Sequence, residues 1–186
     1  MSLLLFILSI LKGKRVEKLD FDLNAFIDKI KDNRASTLYP LLYNELKKQS
    51  YPNIPEKLKS SYYVNLAYVT FLEKEYDSLK KLLDINNINY LLYKGIDIEG
   101  KYYKMPGTRP MRDIDILINK QDINKITELL LNKGYEFTWS CNYHSQFKKN
   151  NVLYEVHTAL FSYKYLIFFD LFNIDNNKIL KEKNKQ

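Results

Sequence analysis

The chain has 186 residues, of which 46% are hydrophobic and 27% charged, and it carries a formal net charge of +7. This composition excludes a disordered chain, and the length suits one domain that buries roughly 70% of its unfolded surface. The basic excess is spread along the sequence rather than gathered in an arm, so it predicts a lysine-rich surface and no dedicated nucleic-acid-binding tail.

The first apolar segment, LLLFILSIL at residues 3–11, is too short to cross a bilayer. Only the amino terminus supplies positive charge before it, and no small-residue cleavage site follows, so it does not read as a signal peptide. We expect a helix that packs on the protein or contacts a partner, and no membrane association. The single cysteine, Cys141, cannot form an internal disulfide, which predicts a cytoplasmic location.

Helical periodicity dominates residues 1–87, which we predict to be a helical region packing on the core. A first helix is predicted over residues 21–33 and a second over residues 36–49. Ser36 or Thr37 is the expected N-cap of the second, and Pro40 falls in its first turn. A helix of about thirty residues then starts near residue 55, where apolar residues recur at spacings of three and four.

The pattern changes after residue 87, and we predict a core over residues 88–175 followed by a polar tail at 176–186. Strands are predicted in INYLLYKG (88–95), RDIDILI (112–118), GYEF (134–137) and NVLYEVHTAL (151–160), with helices between the first three. This order predicts an α+β fold, in which a small mixed β-sheet carries helices on one face.

Two aspartates stand one residue apart in the second of these strands. Side chains alternate along a strand, so Asp113 and Asp115 share one face while the intervening isoleucines face the core. Two carboxylates this close repel each other by roughly 2–4 kcal/mol at an effective dielectric constant of about 20. Protonation of one carboxylate or a divalent cation between them would relieve the repulsion.

A third carboxylate strengthens the metal hypothesis. Glu155 lies between Tyr154 and Val156 in the last strand and shares a face with His157. If that strand neighbours the aspartate strand, Glu155 completes a cluster of oxygen ligands that suits magnesium. Glu136, also placed between aromatic residues on a strand, is the alternative third acid.

The Lys94-Gly95 pair ends the first predicted strand and precedes a helix. Glycine lets a backbone approach a phosphate closely, and the first turn of a helix presents free N–H groups. The pair is therefore a candidate phosphate-binding turn.

In this order and spacing, the motifs LLYKG, RPMRDIDILI, LLLNKGYEF and YEVHTAL resemble the DNA polymerase β-like nucleotidyltransferase superfamily. They are most similar to its uncharacterised prokaryotic group with a helical N-terminal region. The resemblance covers roughly residues 20–160. It implies transfer of a nucleoside monophosphate from a nucleoside triphosphate (NTP) to an acceptor hydroxyl, by a two-metal mechanism with Mg²⁺ or Mn²⁺.

Carried over to this chain, the resemblance makes Asp113, Asp115 and Glu155 the metal ligands and catalytic residues, with Glu155 also able to act as a base. It makes Lys94, Gly95 and Arg109 nucleotide-binding residues. His157 is a further candidate for nucleotide binding, because it shares the face of Glu155 and could touch substrate or orient a ligand. The acceptor could be a small molecule such as an aminoglycoside-like antibiotic, a partner protein or RNA, and the oligomeric state is open.

In a second hypothesis, the protein has the nucleotidyltransferase fold but has lost catalytic turnover. Many superfamily members have Gly-Ser or Gly-Gly where this chain has Gly95-Ile96, and they continue with more helical sequence at the C-terminus. A catalytically impaired, antitoxin-like module that binds nucleotide or a partner is therefore the alternative. A basic nucleic-acid-binding protein without chemistry is a third hypothesis and has the weakest support.

Overall fold

The structure is a computed structural model that describes residues 9–10, 12, 14, 22–29 and 35–159. The predictions for the LLLFILSIL segment, apart from Ser9 and Ile10, and for the polar tail at 176–186 lie outside these residues. Among the described residues, no helix is both long and apolar enough to cross a membrane.

The described helices follow the predicted order: α1 (Leu23–Lys29), α2 (Tyr39–Lys48), α3 (Glu56–Ile85), α4 (Gly95–Tyr102) and α5 (Ile123–Asn132). The predicted long helix is confirmed as α3. The predicted N-cap of α2 is wrong, because a 3₁₀ turn at Ala35–Leu38 precedes the helix and Leu38 supplies no side-chain cap. Pro40 does lie in the first turn of α2, where its missing N–H costs nothing.

Within the described part of the chain, five strands form one mixed sheet: β1 (Tyr90–Tyr93), β2 (Asp113–Ile118), β3 (Glu136–Ser140), β4 (His144–Lys149) and β5 (Val152–His157). Their order across the sheet is β1-β2-β5-β4-β3. The pair β2/β5 is parallel and the other three pairs are antiparallel. The predicted α+β class with a small mixed sheet is confirmed.

Strand β4 was not predicted from the sequence. It forms a hairpin with β5, in which Lys149 pairs with Val152 across the two-residue turn Asn150-Asn151. Both turn residues have positive φ, 51° and 62°, as a type I′ turn requires. This hairpin places β5 in the middle of the sheet, against β2.

The chain divides into two compact units, residues 1–71 with 99–110 and residues 72–98 with 111–186. The predicted domain boundaries stay predictions. The first unit is built on the apolar faces of α1, α2 and the first half of α3, where Tyr43 stacks on Tyr62 with ring centroids 5.0 Å apart.

The first unit also holds the loop that follows α4. Asn65 Nδ2 donates to the Gly107 carbonyl at 2.8 Å, and Asn44 donates to Thr108 Oγ1. The carboxylate of Glu99, only 3% exposed, accepts the backbone N–H groups of Thr108 and Arg109 at 3.1 and 3.2 Å. These contacts fix the backbone of the loop at three successive residues.

In the second unit, the core face of the sheet is apolar. Ile114, Ile116, Phe147, Tyr154 and Val156 are fully buried there. The Tyr154 hydroxyl donates to Glu75 of α3 at 2.6 Å, so this buried side chain has a partner for its polar atom. The opposite face of the same strands carries the acidic residues.

Candidate active site

The strand register brings the predicted acids together. Because β2 and β5 are parallel neighbours, Asp115 lies directly beside Glu155, and Leu117 beside His157. Partners in register project from the same face of a sheet. The condition on which Glu155 was a candidate third carboxylate, that its strand neighbours the aspartate strand, is therefore met. Glu136 lies on β3, three strands from β2, so this alternative third acid is far from the pair.

Three side chains converge on this face. His157 Nε2 lies 2.9 Å from Asp115 Oδ1 and 3.2 Å from Glu155 Oε2. One ligand atom from each residue lies within 4.8 Å of the other two. Among the described residues, this is the group that could surround a single metal ion, and we call it the triad.

Lys94 supplies a positive charge to the triad. Its ammonium lies 2.6 Å from Asp115 Oδ1 and 4.0 Å from Glu155 Oε2. Asp115 is only 3% exposed, whereas the Lys94 side chain is 44% exposed. The carboxylate is thus fixed in the protein, while the lysine can leave toward solvent.

The two aspartates have different electrostatic environments. Burial opposes ionisation of Asp115, but hydrogen bonds from His157 and Lys94 outweigh it and hold the pKa of Asp115 below its usual value. Burial, together with the negative charges of Asp115 and Glu155, raises the pKa of Asp113. Asp113 pairs in register with Leu153 and lies outside the triad, on the same face.

The predicted turn is present at the end of β1. Gly95 is the first residue of α4, but the left-handed conformation falls on Lys94, with φ 59°. Such a conformation costs a non-glycine residue about 1–2 kcal/mol, and here it accompanies the contact between Lys94 and Asp115. A Cβ on Gly95 would meet Met111 and the Asp113 carbonyl oxygen at 3.6 Å, an ordinary contact distance. Packing inside the protein therefore does not require glycine at this position.

Arg109 belongs to the loop of the first unit. Its backbone N–H is held by Glu99, and its Nη1 is buried without a hydrogen-bond partner among the described residues. The predicted role of Arg109 in nucleotide binding stays a prediction.

Sequence reasoning missed a supporting residue on β4. Gln146 pairs in register with Glu155, and its Nε2 donates to Glu155 Oε1 at 3.3 Å. Thr138 Oγ1 lies 3.0 Å from Gln146 Oε1 and 3.1 Å from the Gln146 carbonyl oxygen, and its one hydroxyl hydrogen can be donated to either. The available signal was the Asn150-Asn151 pair, which marks a tight hairpin and so places a strand before β5.

The donor set fits a divalent cation. Asp115 and Glu155 offer hard carboxylate oxygens, which suit Mg²⁺ or Mn²⁺, and His157 adds an imidazole nitrogen. The Lys94 ammonium already lies against the same carboxylates, so the site attracts a cation even without a metal.

Carboxylates on adjacent parallel strands, facing a turn that opens a helix, agree with the α+β nucleotidyltransferase class that the sequence predicted. The comparison with family models narrows the class. The chain belongs to the family described as uncharacterised nucleotidyltransferase, whose model matches residues 29–184. Membership supports an enzyme, with nucleotidyl transfer as the class of activity.

The chain was also compared with solved structures and with curated proteins. The chain is similar to the lincomycin-bound crystal structure of the lincosamide antibiotic adenylyltransferase LnuA, with 24% identity and a TM-score of 0.41. The match covers 46% of this chain and 54% of that one, so this chain spans about half of its length. A comparison with curated proteins gives no match.

Proposed function

We propose that the protein transfers a nucleoside monophosphate from an NTP to an acceptor hydroxyl on the face that carries the triad. The observation that supports this best is the convergence of Asp115, Glu155 and His157 beside Lys94. Family membership supports the reaction class. The nature of the acceptor, the use of NTP and the metal dependence are parts of the proposal.

Asp115 and Glu155 would hold the divalent cation, Asp113 would offer a further oxygen on the same face, and His157 orients both triad carboxylates. A cation bound there would neutralise phosphate charge and polarise the reacting oxygens. Lys94 can turn from Asp115 to the triphosphate, because more than two fifths of its side chain is exposed. The N–H groups at the start of α4 would bind phosphate oxygens next to Gly95.

The transfer itself exchanges one bond to phosphorus for another. The acceptor oxygen attacks the α-phosphorus of the NTP, and the bond from that phosphorus to the bridging oxygen breaks. Pyrophosphate leaves with the bonding electron pair. The proton of the acceptor hydroxyl passes to the Glu155 carboxylate, which Gln146 holds in place. Positioning and charge neutralisation would supply most of the rate enhancement.

The direct test uses labelled NTPs, Mg²⁺ or Mn²⁺, and a cell lysate as the source of acceptor. Wild type should transfer label, and the Asp113→Asn/Asp115→Asn double variant should not. Glu136→Gln is the matched control, since it removes an exposed carboxylate at the far edge of the same sheet. Equal transfer by wild type and the double variant would refute the proposal.

A catalytically impaired, nucleotide-binding module is the second candidate. The observation that favours it is the Lys94 ammonium, which lies against both carboxylates that would otherwise bind a cation. Calorimetric titration with each NTP in the presence of Mg²⁺ separates the two candidates. Saturable binding without transfer or pyrophosphate release supports the binding module.

A further inference from the structure

Strand β3 contains a bulge. Its register with β4 shifts between Phe137, which pairs with Phe147, and Trp139, which pairs with Gln146. Regular alternation would place Phe137 and Trp139 on one face of the sheet. The extra residue, Thr138, instead leaves Phe137 on the core side against Phe147 and turns Trp139 to the opposite face. Bulges of this kind re-aim side chains beside active sites.

Trp139 ends a row of rings that begins at the triad. Its ring centroid lies 4.9 Å from that of His144, and the His144 ring lies 5.0 Å from that of His157. His157 in turn contacts Asp115. Trp139 remains 50% exposed, so one end of this row is open to a ligand.

If the proposed function holds, nucleotide and acceptor approach the triad from opposite sides of the β2/β5 pair. The turn of Lys94 and Gly95 follows β1, on one side of the β2/β5 pair, and β4 with β3 lies on the other. Attacking and leaving oxygens are roughly in line across the phosphorus in such transfers. If pyrophosphate leaves toward the β1 turn, the hydroxyl enters over β4. Strand β3 is two strand spacings from Glu155, about 10 Å, which is within reach of a small molecule.

The two groups nearest Glu155 on this side are neutral and polar, and Lys148, two residues further along β4 on the same face, pairs in register with Glu136 of β3. Between Glu155 and Trp139 lie the amide of Gln146 and the hydroxyl of Thr138, whose oxygen atoms are 3.0 Å apart. Neither group offers the fixed positive charge that a phosphate backbone needs. A flat indole beside amide and hydroxyl groups suits a ring that carries hydroxyls.

We propose that Trp139 is the stacking platform for the acceptor, and that the acceptor is a small hydroxylated ring compound of the sugar or amino-sugar type. The inference rests on the proposed function and adds the side of entry and the acceptor class. It makes Trp139 a binding residue and leaves the triad to the chemistry.

Trp139 is the single tryptophan of the chain, so its emission reports directly on this surface. Wild-type protein is titrated first with each Mg–NTP, then with a panel of methyl glycosides, amino sugars and inositols in the presence of a non-hydrolysable NTP. We expect at least one panel member to change the emission saturably and the Mg–NTPs to leave it unchanged. A saturable change with an Mg–NTP alone, or no change with any panel member, overturns the proposal.

The panel member that binds is then offered as acceptor in a pyrophosphate-release assay. Trp139→Leu should raise the KM for that compound at least tenfold while the KM for NTP stays within twofold. Phe137→Leu is the matched control, because Phe137 is comparably exposed on the other face of the same strand. Equal effects of the two variants would refute the role of Trp139.

Failure of the proposed function gives a different result. Without nucleotidyl transfer, wild type releases no pyrophosphate with any acceptor, whatever the emission of Trp139 does. If label passes to RNA or to a protein while no panel member binds, the proposed function stands and the assignment of acceptor class falls.

Discussion

Replacing Lys94 by methionine separates its contact with the triad from its contact with nucleotide. In the structure, a cation that binds Asp115 and Glu155 must displace the Lys94 ammonium from Asp115 Oδ1, 2.6 Å away. A hydrogen bond to a charged group contributes about 1.5–3 kcal/mol. Because 44% of the lysine side chain is exposed, solvent screening reduces this to about 1–1.5 kcal/mol.

Lys94→Met should therefore bind Mn²⁺ about five- to tenfold more tightly than wild type in the absence of nucleotide. The same variant should bind NTP more weakly, because a phosphate contact is lost. Isothermal titration calorimetry measures both affinities on one preparation. Lys74→Met is the control for net charge, since Lys74 is an exposed lysine of α3 outside the triad and outside the sheet.

Two results would refute this reasoning. Weaker Mn²⁺ binding by Lys94→Met would show that the lysine supports the metal site rather than competing with the metal. An equal gain in Lys74→Met would show that only overall charge matters. Weaker metal binding together with unchanged NTP affinity would remove Lys94 from the phosphate contacts altogether.

Three further predictions concern groups around the site and in the core. Gly107→Ala should lower the free energy of unfolding, measured by denaturant titration, by about 2–4 kcal/mol. The reason is that Gly107 has a φ of +76° and an added Cβ would lie 2.7 Å from the Leu66 Cα of α3. Gly100→Ala is the control and should not destabilise the protein, because its Cβ would meet nothing within 4 Å. Tyr154→Phe should cost about 1–3 kcal/mol by the same measurement, through loss of the 2.6 Å bond to Glu75; an unchanged unfolding midpoint would contradict this. Gln146→Leu should lower kcat for transfer about tenfold with little change in the KM for NTP, because the amide positions the carboxylate on β5; a larger effect on KM would instead assign Gln146 to nucleotide binding.

The faces on which the acidic residues of the site lie could be predicted from the sequence. Strand alternation placed Asp113 and Asp115 on one face, and the same rule placed Glu155 with His157 on a face of the last strand. Whether these two strands are neighbours could not be predicted, because pairing between strands that are distant in the sequence produces no local sequence pattern. The structure shows that they pair, with Asp115 beside Glu155.

Other parts of the site depended on contacts that periodicity does not record. The pattern of strand β4, HSQFKK, is weakly apolar, and its pairing depends on a two-residue turn in which both asparagines adopt positive φ. The contact of Lys94 with Asp115 likewise accompanies a left-handed conformation at Lys94, and no sequence pattern marks a positive φ at this lysine. No sequence pattern marks the bulge at Thr138.

The order of the strands has a consequence for how the protein is made. The last described strand along the chain, β5, is central in the sheet, between β2 and β4. Until it is synthesised and inserted, both neighbouring strands carry open edges, which are liable to pair with other chains. Since β5 also carries Glu155 and His157, completion of the sheet and completion of the triad are one event. A nascent or truncated chain lacking β5 would therefore lack two of the three triad residues and be prone to aggregate.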